Sequence, residues 1–384
     1  MRTRTLFVVI VVMIFVAGAA YYAVKHRDDE STAPFETGRF YPDLKDKLND
    51  IDMIEIIAPD VSIKLARQND LWVVSDKFNY PADFKNIKRN LTALSELVKA
   101  EAKTRKKDYF PNLGVDEIKK DAKGLKFIAS VGANHLVDLY IGTHAPGIQD
   151  GYFVRSEGDD QVWLARGNIK INPDLKEWLQ SDIISVDKNR MASMHFTPLE
   201  GEEFNIWRDD AKKTSFQMQP VPEGRKIKSP YTVDMIAKGL TDLSFVDVLP
   251  KDFVSFQEKP IVTYKTFDGL YIEIFLGKAY KKEDDVEIEA KSSKDFLNKA
   301  PGGKAESNEW VFFRASFDAQ QHEKFKDAHK GNKENIEEEI KKVNAKLSSW
   351  AYHLPSYKLE ILKRNLESML EPIKKEGDAS KPKK

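Results

Sequence analysis

The chain has 384 residues and contains no cysteine. It therefore forms no disulfide bond, carries no lipid on an N-terminal cysteine, and offers no thiolate to a structural zinc ion. A complete lack of cysteine is also compatible with an oxidising compartment outside the cytoplasm.

Histidine is scarce, and the common catalytic patterns are missing. Seven histidines are scattered along the chain, none of them in an HExxH pattern. His322 and His329 lie seven residues apart on a predicted helix, a spacing that we interpret as a solvated face. The sequence also has no GxSxG elbow and no glycine-rich phosphate loop. We therefore predict no catalytic residue, no metal site and no cofactor.

The chain has no excess of basic residues. It holds 61 Lys and Arg against 61 Asp and Glu, and four of the basic residues lie within the first 27. The remainder carries a net charge of about −4, so the composition gives no reason to expect a nucleic acid as partner.

Only one long apolar run is present, from Leu6 to Val24. Its length suits one helical crossing of a hydrocarbon layer about 30 Å thick. Residues 1–27 are therefore predicted to be a single transmembrane anchor in the lipid bilayer. The small residues Gly18, Ala19 and Ala23 are candidates for close packing against another membrane helix. The alternative is a cleaved signal peptide, because small residues end the apolar core.

The flanking charges suggest an orientation. A very short N-terminal segment before an anchor usually stays in the cytoplasm, while the rest of the chain is exported. We predict a single-pass protein of a bacterial inner membrane, with the bulk in the periplasm. Residues 28–50 are predicted to be a stalk, and 373–384 a disordered basic tail.

The body is predicted to be α+β, with antiparallel sheets and few helices. Short strand-like runs alternate with turns, and a short helix is predicted over 172–180. A longer helix over 84–100 begins after Asp83, which is a plausible N-cap. The apolar residues Ile87, Leu91, Leu94 and Leu97 of that helix share one stripe.

The same order of elements recurs, which predicts two repeated units, 51–188 and 189–317. Six pairs of segments match in order. They are 52–57 with 191–196, 62–67 with 203–208, 71–75 with 214–220, 90–97 with 239–245, 125–142 with 261–277, and 151–157 with 310–316. Each unit is predicted to be a small antiparallel sheet with one helix over its apolar face. A plain succession of strands and helices is the alternative.

Residues 318–372 are predicted to form C-terminal helices, with Trp350, Tyr352 and Leu354 in the connection between the last two. The helices cover 317–329, 333–347 and 356–370. The last of these carries an apolar stripe that includes Leu359, Leu362, Leu366 and Met369. Two interpretations stay open: the stripe packs on the second sheet, or it docks a partner.

Arg155 and Arg314 occupy matching places in the two predicted repeats, each after an aromatic-rich run. We expect both to serve a shared structural task, such as pairing with a carboxylate at the end of a strand. A ligand-binding role is the weaker alternative.

One set of turn and strand residues recurs in a known family: Pro59 after the first strand, Arg67 and Trp72, Pro81-Ala82-Asp83 before the helix, Gly142, and Tyr152–Arg155. In these residues the chain resembles the bacterial family known as domain of unknown function 4340. The resemblance covers roughly 52–208.

The resemblance implies a single-anchor envelope protein associated with ABC-type permeases and gliding-motility-type components. The chain would then be a non-enzymatic periplasmic accessory subunit that binds the permease, another envelope subunit or the substrate. The resemblance transfers no catalytic residue. A free-standing envelope scaffold and an envelope glycan or peptide hydrolase are the alternatives.

Overall fold

The computed structural model describes residues 38–280, 309–327 and 332–373. These residues group into two compact units, which are described separately below. The first comprises 38–75 and 82–178, and the second comprises Asp76–Pro81 and the described residues from Leu179 onward.

The predicted anchor lies outside the described residues, as do Gly18, Ala19 and Ala23. A search of the described part of the chain found no helix with the length and apolarity that a membrane crossing requires. The single transmembrane segment, residues 28–37 of the stalk and residues 374–384 of the basic tail therefore stay predictions.

The first part of the chain forms short strands and three α-helices. The strands are β1 Met53–Ala58, β2 Val61–Gln68, β3 Leu71–Val74, β4 Tyr80–Pro81, β5 Val98–Thr104, β6 Leu125–Val131, β7 Asn134–His144, β8 Gly151–Ser156 and β9 Val162–Arg166. The helices are α1 Leu44–Lys47, α2 Phe84–Ser95 and α3 Phe110–Leu113. In the first unit, eight strands form one antiparallel sheet in the order β3-β2-β1-β6-β7-β8-β9-β5.

Alternating side chains create the core of the first unit. In β1, Ile54 and Ile56 are buried while the residues between them are partly exposed. In α2, Ile87, Leu91 and Leu94 are buried on one stripe, and Leu97 just beyond the helix is buried too. The predicted stripe is thereby confirmed, and burial of this apolar surface is the main stabilising term.

The second part of the chain repeats this mixture of short strands with few helices. The strands are β10 Asp182–Ile184, β11 Met191–Phe196, β12 Phe204–Trp207, β13 Gln217–Gln219, β14 Arg225–Ile227, β15 Leu243–Ser244, β16 Asp247–Pro250, β17 Val254–Phe256, β18 Val262–Thr266, β19 Leu270–Ala279, β20 Trp310–Phe317, β21 Trp350–His353 and β22 Leu370–Pro372. The helices are α4 Pro230–Ala237, α5 Ala319–Lys324, α6 Lys333–Leu347, α7 Ser356–Leu362 and α8 Leu366–Met369. The large sheet has the order β13-β12-β11-β18-β19-β20-β21-β16, and β17 also pairs with β19.

The two large sheets share one order of strands. If the eight strands of each order are numbered along the chain, starting from β1 and from β11, both sheets have the order 3-2-1-5-6-7-8-4. Strands with the same number have equal rank. Five of the six predicted segment pairs fall on strands of equal rank. In the sixth pair, 90–97 covers the end of α2, whereas 239–245 follows α4 and includes β15. The α+β class is confirmed. The predicted bounds 51–188 and 189–317 stay predictions.

Asp76–Pro81 contributes side chains to the core of the second unit. Lys77 Nζ lies 2.8 Å from Asp247 Oδ1, and both side chains are almost completely buried. The Tyr80 ring meets the Trp350 ring edge-on, with centroids 4.8 Å apart. These six residues are therefore an integral part of that unit.

The C-terminal region is more than a set of helices. Trp350–His353, expected to be a connection, forms β21 and pairs with β16 and β20, because Ala351 and Tyr352 are buried between those strands. The helix predicted over 356–370 is two shorter helices, α7 and α8. Its apolar stripe is buried within the second unit, so the packing interpretation is confirmed.

Two predicted helices are shorter than expected. The helix after Asp83 ends at Ser95, and Val98–Thr104 pairs with β9 as the strand β5. The alanines, glutamate and lysines of that strand favour a helix, but pairing with a neighbouring strand overrides local propensity. The helix predicted over 172–180 is a single 3-10 turn, Leu175–Trp178.

Candidate binding groove

An open groove of about 600 Å³ lies along the exposed face of α2 in the first unit. Volumes of this size are typical of ligand-binding clefts. It is lined by Lys85, Lys88, Arg89, Thr92, Ala93 and Glu96 of the α2 segment, and by Gly167 and Asn168 after β9.

Local sequence explains this face of α2. Asp83 is the N-cap: its carboxylate accepts hydrogen bonds from the backbone N–H groups of Lys85 and Asn86 at 2.9 and 3.2 Å. The predicted cap is therefore confirmed. Because positions three and four apart share a face of a helix, Lys85, Lys88 and Arg89 project together into the groove.

Two buried asparagines fix the opposite wall. Asn90 is completely buried; its amide nitrogen donates to Asn86 Oδ1 at 2.8 Å, and its oxygen accepts from the backbone N–H of Lys170 at 2.9 Å. The Asn86 amide in turn donates to the Glu177 carbonyl at 2.6 Å. These bonds tie the segment after β9 to α2, so the groove is held open by buried polar contacts. Asn90 also begins an Asn-Leu-Thr glycosylation pattern, Asn90-Leu91-Thr92, but its side chain lies inside the fold.

Close packing also shapes the floor. A Cβ atom on Gly167 would lie 2.8 Å from Leu97 Cδ1, so a side chain there would collide with the core. Gly167 is therefore required by its packing against Leu97, and together with Ala93 it adds little side-chain volume to the lining. A ligand backbone can therefore approach the helix closely.

The groove carries opposite charges at its two ends. Lys85, Lys88 and Arg89 lie on the N-terminal half of α2, and Glu96 follows its C-terminal end. The Arg89 guanidinium donates to Asn86 Oδ1 at 2.5 Å, which limits its freedom. Within the described residues, neither Lys85 nor Lys88 is within ion-pair distance of a carboxylate. The arrangement can bind an anionic group.

The predicted site residue Arg155 lies in β8 and has a structural role. It is buried; its Nε donates to the Val115 carbonyl at 2.8 Å, and one terminal nitrogen donates to the Asp159 carbonyl at 3.1 Å. The guanidinium carbon also lies 4.2 Å from the centroid of the Tyr140 ring. Its charge is thus satisfied by backbone carbonyls and aromatic faces.

Arg314 lies in the corresponding strand, β20, with different partners. It is exposed and binds Glu273 with two nitrogens, at 2.6 and 2.8 Å. Arg155 pairs across the strands with Tyr140, whereas Arg314 pairs with Glu273. The carboxylate partner expected for both arginines is therefore present only for Arg314.

A charged network lies beside Arg155 on the first sheet. Lys126 Nζ is 2.5 Å from Glu157 Oε2 and 3.0 Å from Asp138 Oδ1, and the Tyr140 hydroxyl donates to Glu157 at 2.7 Å. The hydrogen bonds from Lys126 and Tyr140 lower the pKa of Glu157 to about 2. This carboxylate is therefore ionised at every physiological pH, which suits a structural ion pair.

Sequence reasoning missed two features. The basic face of α2 was visible in the spacing of Lys85, Lys88 and Arg89 once the helix was predicted, but its far wall lies about 80 residues later in the chain. In the sequence, Arg208 stood out only as the last residue of the repeated segment 203–208. It is buried, and its Nε donates to the Met191 carbonyl at 2.8 Å.

In the described ranges, no three His, Asp or Glu side chains are grouped closely enough to hold a metal ion.

Comparison with known proteins gives one match. The model of a family described as "Domain of unknown function (DUF4340)" matches residues 72–264, just over half of the chain. That range includes the whole of α2 and both walls of the groove. No curated protein and no solved structure matches the chain.

Proposed function

Because the chain belongs to the domain of unknown function 4340 family, we propose that it is a non-enzymatic, membrane-anchored accessory subunit of an ABC-type transporter complex. Its body lies in the periplasm of a bacterial inner membrane and binds the permease, another envelope subunit or the substrate. The anchor is the apolar run Leu6–Val24.

The groove on α2 is the observation that carries this proposal. It is a preformed surface, braced by Asn86 and Asn90, and it lies inside the segment that the family model matches. Its charged side chains are arranged along a helix face, with no carboxylate and base aimed at one point. Such a surface recognises a partner by charge and shape.

We also propose that the two units arose by internal duplication. The shared strand order of the two large sheets supports this proposal. The helices support it too, since α2 lies between β3 and β5 in the chain, and α4 lies between the matching strands β13 and β16. A duplicated body with two similar sheets offers two related surfaces, and the basic groove described above belongs to the first unit.

Co-purification from native membranes tests the transporter assignment. A tagged full-length chain, extracted in mild detergent, should recover an ATPase and a multi-spanning permease in fixed proportion. Recovery of the tagged chain alone would favour a free-standing envelope scaffold. Hydrolysis of envelope glycan or peptide by the purified chain would replace the proposal with an enzymatic function.

Protease accessibility tests the topology. Protease added to spheroplasts should digest the body of a C-terminally tagged chain, while a cytoplasmic marker survives. A body protected until lysis would contradict the periplasmic assignment. Mass spectrometry of the N-terminus decides whether 1–27 is retained, since a cleaved signal peptide would remove it.

A further inference from the structure

The order of the charged side chains along the groove indicates which kind of partner it can bind. Three cations occupy one end, and one carboxylate, Glu96, occupies the other. Lys85 and Glu96 are eleven residues apart on α2 and its C-cap, which corresponds to about 16 Å at 1.5 Å per residue. A complementary ligand therefore changes from acidic to basic over that distance.

We infer that the groove binds an extended peptide segment of a partner protein, with acidic residues over Lys85, Lys88 and Arg89 and a basic residue over Glu96. This rests on the proposed function and names the chemistry of its partner. About five residues of an extended chain span 16 Å, at about 3.3 Å per residue. The groove therefore matches a short linear segment.

The rest of the lining suits a peptide backbone. Thr92 and Asn168 offer a hydroxyl and an amide, which can both donate and accept hydrogen bonds. Ala93 and Gly167 add little side-chain volume to the lining, so a main chain can lie close to the helix. A peptide needs both features, since its own N–H and C=O groups require partners when they are desolvated.

The lining disfavours a lipid surface or a nucleic acid. Both present a continuous row of phosphates, and Glu96 would repel one end of that row. The reversal of charge within one groove is the feature that selects a peptide.

The test uses the full chain in detergent and two fluorescent peptides, acetyl-EEGSK and a control without acidic residues, acetyl-KKGSK. Fluorescence anisotropy at low and high salt gives their affinities. We expect EEGSK to bind at least about tenfold more tightly than KKGSK, and the difference to shrink with added salt.

Matched variants assign the binding to the groove. Lys85→Glu with Lys88→Glu should weaken EEGSK binding at least about tenfold and improve KKGSK binding. Lys45→Glu with Lys47→Glu, on the exposed surface of α1 in the same unit, should change neither affinity. All four positions are exposed, so the melting temperatures should stay within a few degrees of the parent.

Three results would overturn the inference: equal affinity for the two peptides, an unchanged affinity in the Lys85/Lys88 variant, or groove-dependent binding of anionic vesicles or inorganic phosphate that is tighter than peptide binding. Its failure can be distinguished from failure of the proposed function. If the Lys85/Lys88 variant still co-purifies with permease and ATPase, the transporter assignment stands and the groove assignment falls.

Discussion

Arg155 and Arg208 are buried guanidinium groups that rely on backbone carbonyls. Arg208 donates all five of its N–H groups, to the carbonyls of Lys188, Asn189, Met191, Ala211 and Lys213. Burial lowers its pKa, but an arginine side chain keeps its charge in folded proteins. The carbonyls belong to the 3-10 turn Lys188–Arg190, to the start of β11 and to the turn after β12, and the arginine joins these three segments.

Arg208→Lys should therefore destabilise the protein by about 2–4 kcal/mol, because one ammonium group cannot reach carbonyls on two separate turns. Arg314→Lys is the matched control; it loses one contact of an exposed pair with Glu273 and should cost about 1 kcal/mol or less. Urea unfolding followed by tryptophan fluorescence measures both. Equal losses would contradict the assigned role of Arg208.

Glu157 gives a pH-dependent prediction. Its pKa is lowered to about 2, so the stability that it contributes is fully present above about pH 4.5 and is lost as the pH falls towards 2. Its side chain is nearly half exposed, which limits the contribution to about 1 kcal/mol.

Glu157→Gln should therefore flatten the fall in unfolding free energy between pH 4.5 and pH 2, and lower stability slightly at pH 7. Unfolding curves at several pH values check this. Glu117→Gln, in a looser and more exposed pair with Lys119, should leave the slope unchanged. A parallel shift of the whole curve would contradict the role of Glu157.

At the scale of the element, α2 is the part of the site that sequence reasoning described best. Its cap at Asp83 and its buried stripe depend on residues within one helix, so local spacing was sufficient. Gly167 and Asn168 reach the groove only through the pairing of β9 with β5, a contact between distant segments. The strand β21 was missed for the same reason, since β16 and β20 enclose it.

Removal of the cap should weaken α2 and the groove together. Asp83→Ala leaves the backbone N–H groups of Lys85 and Asn86 without their acceptor, and we expect a loss of about 0.5–2 kcal/mol. Asp83→Asn keeps an accepting oxygen and should cost less. Hydrogen exchange of the α2 amides measures the effect, and equal protection in the two variants would contradict the assignment.

At the scale of the whole molecule, the order of elements that repeats along the chain recurs as a shared strand order in the two large sheets. In the matched pair β1 and β11, both strands have six residues and buried side chains at alternate positions. The C-terminal residues were harder to interpret. Their helical spacing was visible, but the completion of the second sheet by β21 depends on strands more than 30 residues away.

Truncation tests this completion. A chain that ends at Leu347 loses β21, α7, α8 and β22, including at least eight buried apolar side chains. At about 1.5–3 kcal/mol for each, the loss exceeds the usual 5–15 kcal/mol of net stability, so the second unit should not fold. A chain that ends at Ile373 should melt like the full chain. Circular dichroism and limited proteolysis compare the two, and similar melting would contradict the role of β21.

The place of Lys77 in the second unit limits how this chain can be dissected. A recombinant fragment that starts at Leu179 would leave Asp247 buried without its cation, at an expected cost of about 3–5 kcal/mol. Asp247→Leu should restore part of that loss in the fragment, and a synthetic peptide spanning 76–81 should bind it and raise its melting temperature. A gene divided before Leu179 would therefore encode a destabilised second unit. A gene that also encodes Asp76–Pro81, joined to that unit, would not.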